Sequence, residues 1–208
     1  IRHVGEPLAL IVAETREQGL DAAEAIEFDY TEHPAHLALE PGGPAVHAEA
    51  PDNVAMDWLL GDEDAVADAF ARAAHVTRLS VRQNRVAVAS LEPRACLAEW
   101  DGARLHFAFN GQGVWNLKRE LARTLSLPEA AVQVTTPDVG GGFGMKSMGY
   151  PEHFAVAQAS RALGRPVAWI SDRAEAMVSD NGARDLESLA ELAFDADLRL
   201  TGYRVTTR

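Results

Sequence analysis

The sequence contains a single cysteine, Cys96, among 208 residues. One cysteine excludes an internal disulfide, and it excludes any zinc or iron–sulfur site built only from cysteines of this chain. Cys96 lies in the apolar run 95–98, where a thiol is more often a buried core group than a nucleophile. We therefore predict that Cys96 is chemically inert.

Long apolar runs and an excess of positive charge are also missing. No stretch approaches the roughly 18 apolar residues of a membrane span, and the formal net charge is −12. Such a charge repels phosphate, which argues against a nucleic-acid or anionic-membrane partner. Apolar residues make up 47% of the chain, which is enough for a hydrophobic core. Because an acidic balance is common in cytosolic proteins, we expect a cytoplasmic location.

Several signatures of hydrolases and nucleotide-binding proteins are absent as well. The seven histidines show no metal-ligand spacing, and Glu152-His153 has no second histidine four residues on. There is no Gly-x-Ser-x-Gly motif. The one glycine-rich segment fits neither a Walker A loop nor a dinucleotide-binding fingerprint. The sequence therefore gives no support for classical hydrolysis, and we predict no metal ligand in this chain.

Hydrophobic periodicity predicts a mixture of strands and helices. The predicted strands are 8–13, 26–30, 76–89, 95–100, 105–109, 131–136, 166–172 and a hairpin over 189–207, and the predicted helices are 16–25, 65–74, 114–125 and 151–163. The proline- and glycine-bearing segment 33–57 has little periodicity and predicts a domain boundary. Both ends lie inside such patterns, so we expect the chain to be a fragment. The expected fold class is α+β, or mixed α/β, in two lobes.

The strongest local feature is the segment 138–146, Asp-Val-Gly-Gly-Gly-Phe-Gly-Met-Lys, between a predicted strand and a predicted helix. Glycines let a ligand approach the bare backbone, and successive amides in such a loop can hold an anionic oxygen, to which Lys146 would add charge. The pattern alone leaves a second interpretation open. It is a flexible glycine turn in which Phe143 simply fills the core.

Two shorter features accompany this glycine loop. Gln112 lies between Gly111 and Gly113 after a predicted strand, and its amide can both donate and accept hydrogen bonds. The pattern alone favours a solvated polar turn at this position. Glu92-Pro93-Arg94 interrupts a strand-like region, and here the pattern favours an ordinary surface ion pair or a bulge.

The order of these segments resembles the large, molybdopterin-binding subunit of the xanthine dehydrogenase/aldehyde oxidase/carbon monoxide dehydrogenase family. The similar segments are, in chain order, 4–9, 27–30, 84–86, 91–94, 110–112, 138–146, 164–167, 172–175 and 182–185. They extend over nearly the whole chain, and the glycine loop is the most specific of them. The resemblance implies an α/β hammerhead-like lobe over residues 1–58, including the connector, followed by the N-terminal part of a mixed α/β molybdopterin-binding domain over residues 59–208.

The resemblance also implies a function. It implies a molybdenum–pterin oxidoreductase that hydroxylates an aldehyde or an N-heterocycle, or oxidises carbon monoxide, with water as the oxygen source. Gln112 is then expected beside the molybdenum at the catalytic site, and Gly141, Gly142, Phe143 and Gly144 are expected to bind the cofactor. Electrons would leave through iron–sulfur clusters and FAD on other subunits or domains of the complex. A homo-oligomer is left open.

The sequence departs from the family pattern at one position and leaves part of the pattern out. Ser147 stands where some members have a glutamate near the substrate, so purine-type recognition by this residue is not expected. The family's glutamate base and further cofactor contacts would fall beyond Arg208. We therefore expect this chain alone to hold no cofactor and to be inactive. Two alternatives stay open, namely a non-catalytic binding or assembly module related to the subunit, and a phosphate-binding enzyme that uses the glycine loop.

Overall fold

The computed structural model describes residues 1–208, which divide into two compact units. The first unit consists of Ile1–Asp29 and Ala87–Ala183, and the second of Tyr30–Val86 and Arg184–Arg208. Each unit is therefore assembled from two separate parts of the chain. The division at residue 58, which refers to the domains of a whole subunit, stays a prediction.

The chain contains five α-helices and seven strands, which together form a mixed α/β structure. The helices are α1 (Arg16–Glu24), α2 (Glu63–Arg72), α3 (Trp115–Thr124), α4 (Pro151–Leu163) and α5 (Arg173–Ser179), and the strands are β1 (His75–Gln83), β2 (Ala95–Trp100), β3 (Leu105–Phe109), β4 (Val132–Thr135), β5 (Val167–Ile170), β6 (Leu186–Phe194) and β7 (Leu200–Thr207). Short 3₁₀ turns cover Glu129–Ala131 and Met145–Ser147. No helix has the length and apolar character needed to cross a membrane.

A four-stranded sheet in the order β4-β3-β2-β5 forms the centre of the first unit. Strand β2 runs antiparallel to β3 and β5, whereas β3 and β4 are parallel. Alternate side chains of β3 are buried, as the pleat of a strand dictates, and Phe107 is among them. They pack with Leu121 of α3 and Val156 of α4, and burying each such side chain contributes about 1.5–3 kcal/mol. The predicted β2–β3 hairpin and helices α3 and α4 are confirmed.

The positions of Gln112 and the glycine loop follow from the parallel pairing of β3 and β4. Gln112 follows β3, and the glycine loop follows β4. Because the two strands are parallel, their carboxyl ends meet at one edge of the sheet, which is where ligands bind in open α/β sheets. The Thr136 hydroxyl, just past β4, donates to the Gly111 carbonyl oxygen at 3.0 Å, and this bond joins the two segments.

The second unit is an antiparallel sheet in the order β1-β6-β7, with α2 on one face. Gly202 of β7 lies against Phe70 of α2, where an added Cβ would come within 3.4 Å of the ring. The carboxylate of Glu191 is buried on β6 and accepts hydrogen bonds from Arg78 and Arg204. The predicted C-terminal hairpin is confirmed as β6 and β7.

Two predicted strands are wrong. Residues 8–13 and 26–30 lie outside the strands and pair with none of them. Apolar alternation reports which side chains face a core, whereas a strand also needs a partner for its backbone groups. The helix between them is confirmed as α1, and Thr15 forms its capping box with Gln18. The short helix α5 was not predicted. The hammerhead-like organisation of this region stays a prediction.

Candidate functional site

The glycine loop lies between β4 and α4, as predicted. Gly144 is the last residue before a short 3₁₀ turn. Gly144 has φ +90°, a left-handed conformation that glycine adopts without steric cost. This backbone lets its N–H donate to the Oε1 of Gln112 at 2.8 Å. A 3₁₀ turn, Met145–Ser147, then leads towards α4.

Gln112 is bound to this loop by both its backbone and its side chain. Its N–H donates to the Lys146 carbonyl oxygen at 2.9 Å, and its Oε1 accepts from Gly144. The Nε2 of Gln112 has no protein partner and is free to donate to a ligand. The structure therefore brings the predicted site residues together. Gln112 is exposed, as in the solvated-turn interpretation, but its Oε1 is hydrogen-bonded to the loop.

Gly142 is the point of closest approach between the loop and Gln112. A Cβ on Gly142 would lie 2.7 Å from the Cγ of Gln112 and even closer to its Cδ and Oε1. Real Cβ atoms essentially never come that close to another heavy atom. The glycine at this position is therefore required by the Gln112 side chain.

Phe143 lies at the tip of the loop, and its side chain is 79% exposed. The interpretation in which Phe143 fills the core is wrong. The residue also has φ +52°, which costs an L-amino acid of this size about 1–2 kcal/mol. An exposed phenylalanine held in a strained backbone conformation is a feature that function explains better than stability does.

The loop fits an anionic ligand through its unused donors. The amide N–H groups of Gly141, Gly142 and Phe143 donate to no protein acceptor, and runs of free amides are a common anion-binding arrangement. Lys146 is only 3% exposed beneath them, and its Nζ donates to the Val139 carbonyl oxygen at 2.6 Å. Burial lowers the pKa of Lys146. The residues present thus fit a large anionic group such as a pterin phosphate.

The segment 90–92 forms a second wall of the site, next to the glycine loop that forms the first. The sequence did not single out this segment as part of the site. The Glu92 N–H donates to the Gly140 carbonyl oxygen at 3.1 Å. The Ser90 hydroxyl is buried and donates to the Glu92 carbonyl oxygen at 2.7 Å. Arg173 of α5 donates to the carbonyl oxygens of Ser90 and Leu91 at 2.8 and 2.7 Å, so this wall is fixed from both sides.

Arg94 does not form the predicted surface ion pair, because its side chain is only 1% exposed. Its guanidinium donates to both carboxylate oxygens of Glu152, at 3.1 and 3.2 Å, and to Asp180 at 2.6 Å. It also stacks over the ring of Tyr150, with its Cζ 3.6 Å from the ring centroid. A buried charge is tolerated only when it is paired in this way. These partners lie 58 and 86 residues away, so local sequence patterns could not reveal them.

Other reactive groups of the first unit are structural. Cys96 is buried, as predicted, and burial raises the pKa of its thiol to about 12, which disfavours the nucleophilic thiolate. Burial also lowers the pKa of His153 to about 4, so its imidazole is neutral among the rings of Phe107, Phe109 and Tyr150. No group of three or more histidine, cysteine, aspartate or glutamate side chains comes together as a metal site.

Comparisons with known proteins identify the family of this chain. The family model of the molybdopterin cofactor-binding domain matches residues 46–208. The chain is 36% identical over 213 aligned residues to the nicotine 6-hydroxylase large subunit of Paenarthrobacter nicotinovorans, an alignment that covers 98% of this chain and 26% of the relative.

Solved structures of similar proteins support the same assignment. The Cu,Mo-CO dehydrogenase superimposes with a TM-score of 0.83 at 28% identity, covering 92% of this chain and 26% of that one. Quinoline 2-oxidoreductase from Pseudomonas putida 86 superimposes with a TM-score of 0.76 at 33% identity, covering 94% and 25%. The chain spans about a quarter of the length of these relatives. It belongs to the molybdopterin cofactor-binding domain family.

Proposed function

We propose that this chain is part of the large subunit of a molybdenum-dependent hydroxylase that acts on an N-heterocycle, with water as the oxygen source. The observation that carries the proposal is the junction of Gln112 with the glycine loop. Gln112 is hydrogen-bonded to the loop through its backbone N–H and its Oε1, so its free Nε2 is held next to the free amides of the loop. When bound, the molybdenum–pterin cofactor supplies the two-electron oxidation and the transfer of a water-derived oxygen to carbon.

In this proposal the residues of the chain bind and orient the cofactor. With the cofactor bound, the amides of Gly141, Gly142 and Phe143 would donate hydrogen bonds to its anionic oxygens, and the left-handed Gly144 holds Gln112 beside them. The charge of Lys146 lies beneath the loop, where it favours a negative ligand. The Nε2 of Gln112 would be the hydrogen-bond donor offered to the bound group, and a fixed donor of this kind commonly contributes about 100-fold or more to the rate. The exposed ring of Phe143 covers apolar surface of the cofactor or substrate and excludes water.

The proposed substrate class rests on the relatives. Nicotine and quinoline, which the names of two similar proteins give as their substrates, are both nitrogen heterocycles. Ser147 stands after the loop lysine, so this position offers a hydroxyl rather than a carboxylate to the substrate. Aldehydes and carbon monoxide are the other substrates to be tested, because the similar proteins include carbon monoxide dehydrogenases and aldehyde oxidoreductases.

The proposal extends to partners and to the state of the chain alone. Electrons leave through iron–sulfur clusters and FAD on partner subunits, and the complex is cytoplasmic. The 208-residue chain by itself holds no molybdenum and is inactive, because both Gln112 and Phe143 are exposed and water is not excluded from the site. Catalysis by fixed donors depends on that exclusion.

Metal analysis and dye reduction test the proposal in the full-length gene product and in the 208-residue chain. We expect molybdenum and quinoline-dependent dye reduction in the first, and neither in the second. Gln112→Ala should lower turnover about 100-fold at unchanged molybdenum content, whereas Gln133→Ala, on the exposed side of β4, should have no effect. A full-length product without molybdenum would favour the assembly module instead, and activity only with an aldehyde or with carbon monoxide would contradict the substrate class.

A further inference from the structure

Tyr150 is a buried tyrosine directly beneath the glycine loop, and the proposed function assigns it no role. Its side chain is held by two neighbouring residues. The Arg94 guanidinium stacks on one face of the ring, and the edge of the His153 ring lies 5.8 Å away, centroid to centroid. The Tyr150 N–H donates to the Nδ1 of His153 at 3.2 Å at the start of α4. With only 4% of its surface exposed, the phenol has a single position.

The hydroxyl of Tyr150 joins this fixed core to the loop. It donates to the carbonyl oxygen of Met145 at 2.9 Å, and it accepts from the N–H of Asn181 at 3.1 Å. Burial raises the pKa of Tyr150, so the hydroxyl keeps its proton and continues to donate at neutral pH.

Met145, which accepts the hydrogen bond from the Tyr150 hydroxyl, lies where the glycine loop is bonded to Gln112. Met145 donates its own N–H to the Gly142 carbonyl oxygen at 2.9 Å, and the next carbonyl oxygen, of Lys146, accepts from the Gln112 N–H. One bond from Tyr150 therefore fixes the short stretch to which both Gly142 and Gln112 are attached. The start of the loop is held separately, by the bond from Lys146 Nζ to the Val139 carbonyl oxygen and by the bond from the Glu92 N–H to the Gly140 carbonyl oxygen.

We propose that Tyr150 is a positioning residue that holds the glycine loop and Gln112 in a fixed relative position through the Met145 carbonyl group. It touches neither cofactor nor substrate. Arg94, with its partners Glu152 and Asp180, acts one step further away by fixing the ring of Tyr150. The catalytic consequence of this inference rests on the proposed function, whereas the structural consequence does not.

The variant Tyr150→Phe in the full-length protein removes only the hydroxyl and leaves the ring under Arg94, so the fold is retained. We expect hydrogen exchange of the bonded amides of Gln112, Gly144 and Met145 to become about 10-fold faster, the size expected for losing one hydrogen bond. Exchange in the core strands β2 and β3 should stay unchanged. The turnover number should fall about 10-fold while KM changes less than about 2-fold. Tyr203→Phe, at an exposed tyrosine of the second unit, is the matched control and should match wild type in all readouts.

Two results would overturn the inference. Unchanged exchange in the loop would show that the hydroxyl does not hold it, and faster exchange throughout β2 and β3 would show a general structural role. The exchange measurement also separates this inference from the proposed function. If the wild-type protein contains no molybdenum but Tyr150→Phe still loosens the loop and Gln112 selectively, the proposed function fails and the positioning role of Tyr150 stands.

Discussion

Replacing Gly142 by alanine is the most specific perturbation that the site allows. Gly142 has no left-handed backbone angle, so alanine adopts its conformation without strain. The added methyl group instead collides with the side chain of Gln112. Since Gln112 is exposed, it can rotate away into water. We therefore expect the fold to survive and the position of Gln112 to be lost.

The magnitudes follow from the contacts. Rotation of Gln112 breaks the hydrogen bond from the Gly144 N–H, which costs about 0.5–1.5 kcal/mol in the free energy of unfolding. Turnover should fall much further, about 100-fold, because the proposed donor of the active site is displaced. That factor corresponds to about 2.7 kcal/mol of transition-state stabilisation.

A double-mutant cycle measures whether the two effects have the same origin. In the full-length enzyme, Gly142→Ala and Gln112→Ala should each lower turnover about 100-fold, and the double variant should be no slower than either, since the colliding side chain is gone. Gly19→Ala is the control, because a Cβ there meets only Ala13 at 3.9 Å. Multiplying losses in the double variant, or wild-type turnover in Gly142→Ala, would refute the reasoning.

Two further predictions concern the buried ring of His153 and the exposed ring of Phe143. His153 has a folded-state pKa of about 4 against about 6.5 unfolded, so the unfolded state binds more protons between these values and stability falls as pH decreases through this window. Protection of α4 amides in the full-length protein should therefore weaken by about 2 kcal/mol between pH 7 and pH 5, and a flat profile would contradict the buried, neutral imidazole. Phe143→Ala should change the unfolding free energy by less than about 0.5 kcal/mol while lowering cofactor content or raising KM, and a large loss of stability would mean that the ring is packed.

The sequence allowed the central sheet and its helices to be predicted, because each of them carries its own local signal. The alternation of β3, the turn after β2 and Pro151 at the start of α4 are all short-range patterns. The segment 8–13 has a similar apolar pattern but no pairing partner, and pairing is a long-range property. The five predicted site residues lie together because Gln112 and the glycine loop follow parallel neighbouring strands.

The buried polar groups beneath the site could not be predicted in the same way. Arg94 looks like a surface residue beside Glu92 in the sequence, and its actual partners, Glu152 and Asp180, are distant along the chain. Lys146 was expected to contribute charge to the loop, and its burial under the loop emerges only from the folded backbone. Hydrogen-bond partners of this kind depend on tertiary geometry, for which residue type and spacing carry no information.

The discontinuous make-up of the first unit has a consequence for synthesis. Its first 29 residues and its remaining part from Ala87 to Ala183 are separated by the whole of 30–86, and the glycine loop lies in the middle of the second part. During synthesis, residues 1–29 therefore cannot form their contacts with the rest of the unit until α5 has left the ribosome. Gly5 finally lies against the backbone of Val178, a contact between nearly opposite ends of the unit. Such contacts make folding slow and leave apolar surface exposed in the meantime, so the first unit stays incompletely folded until its second part has been made.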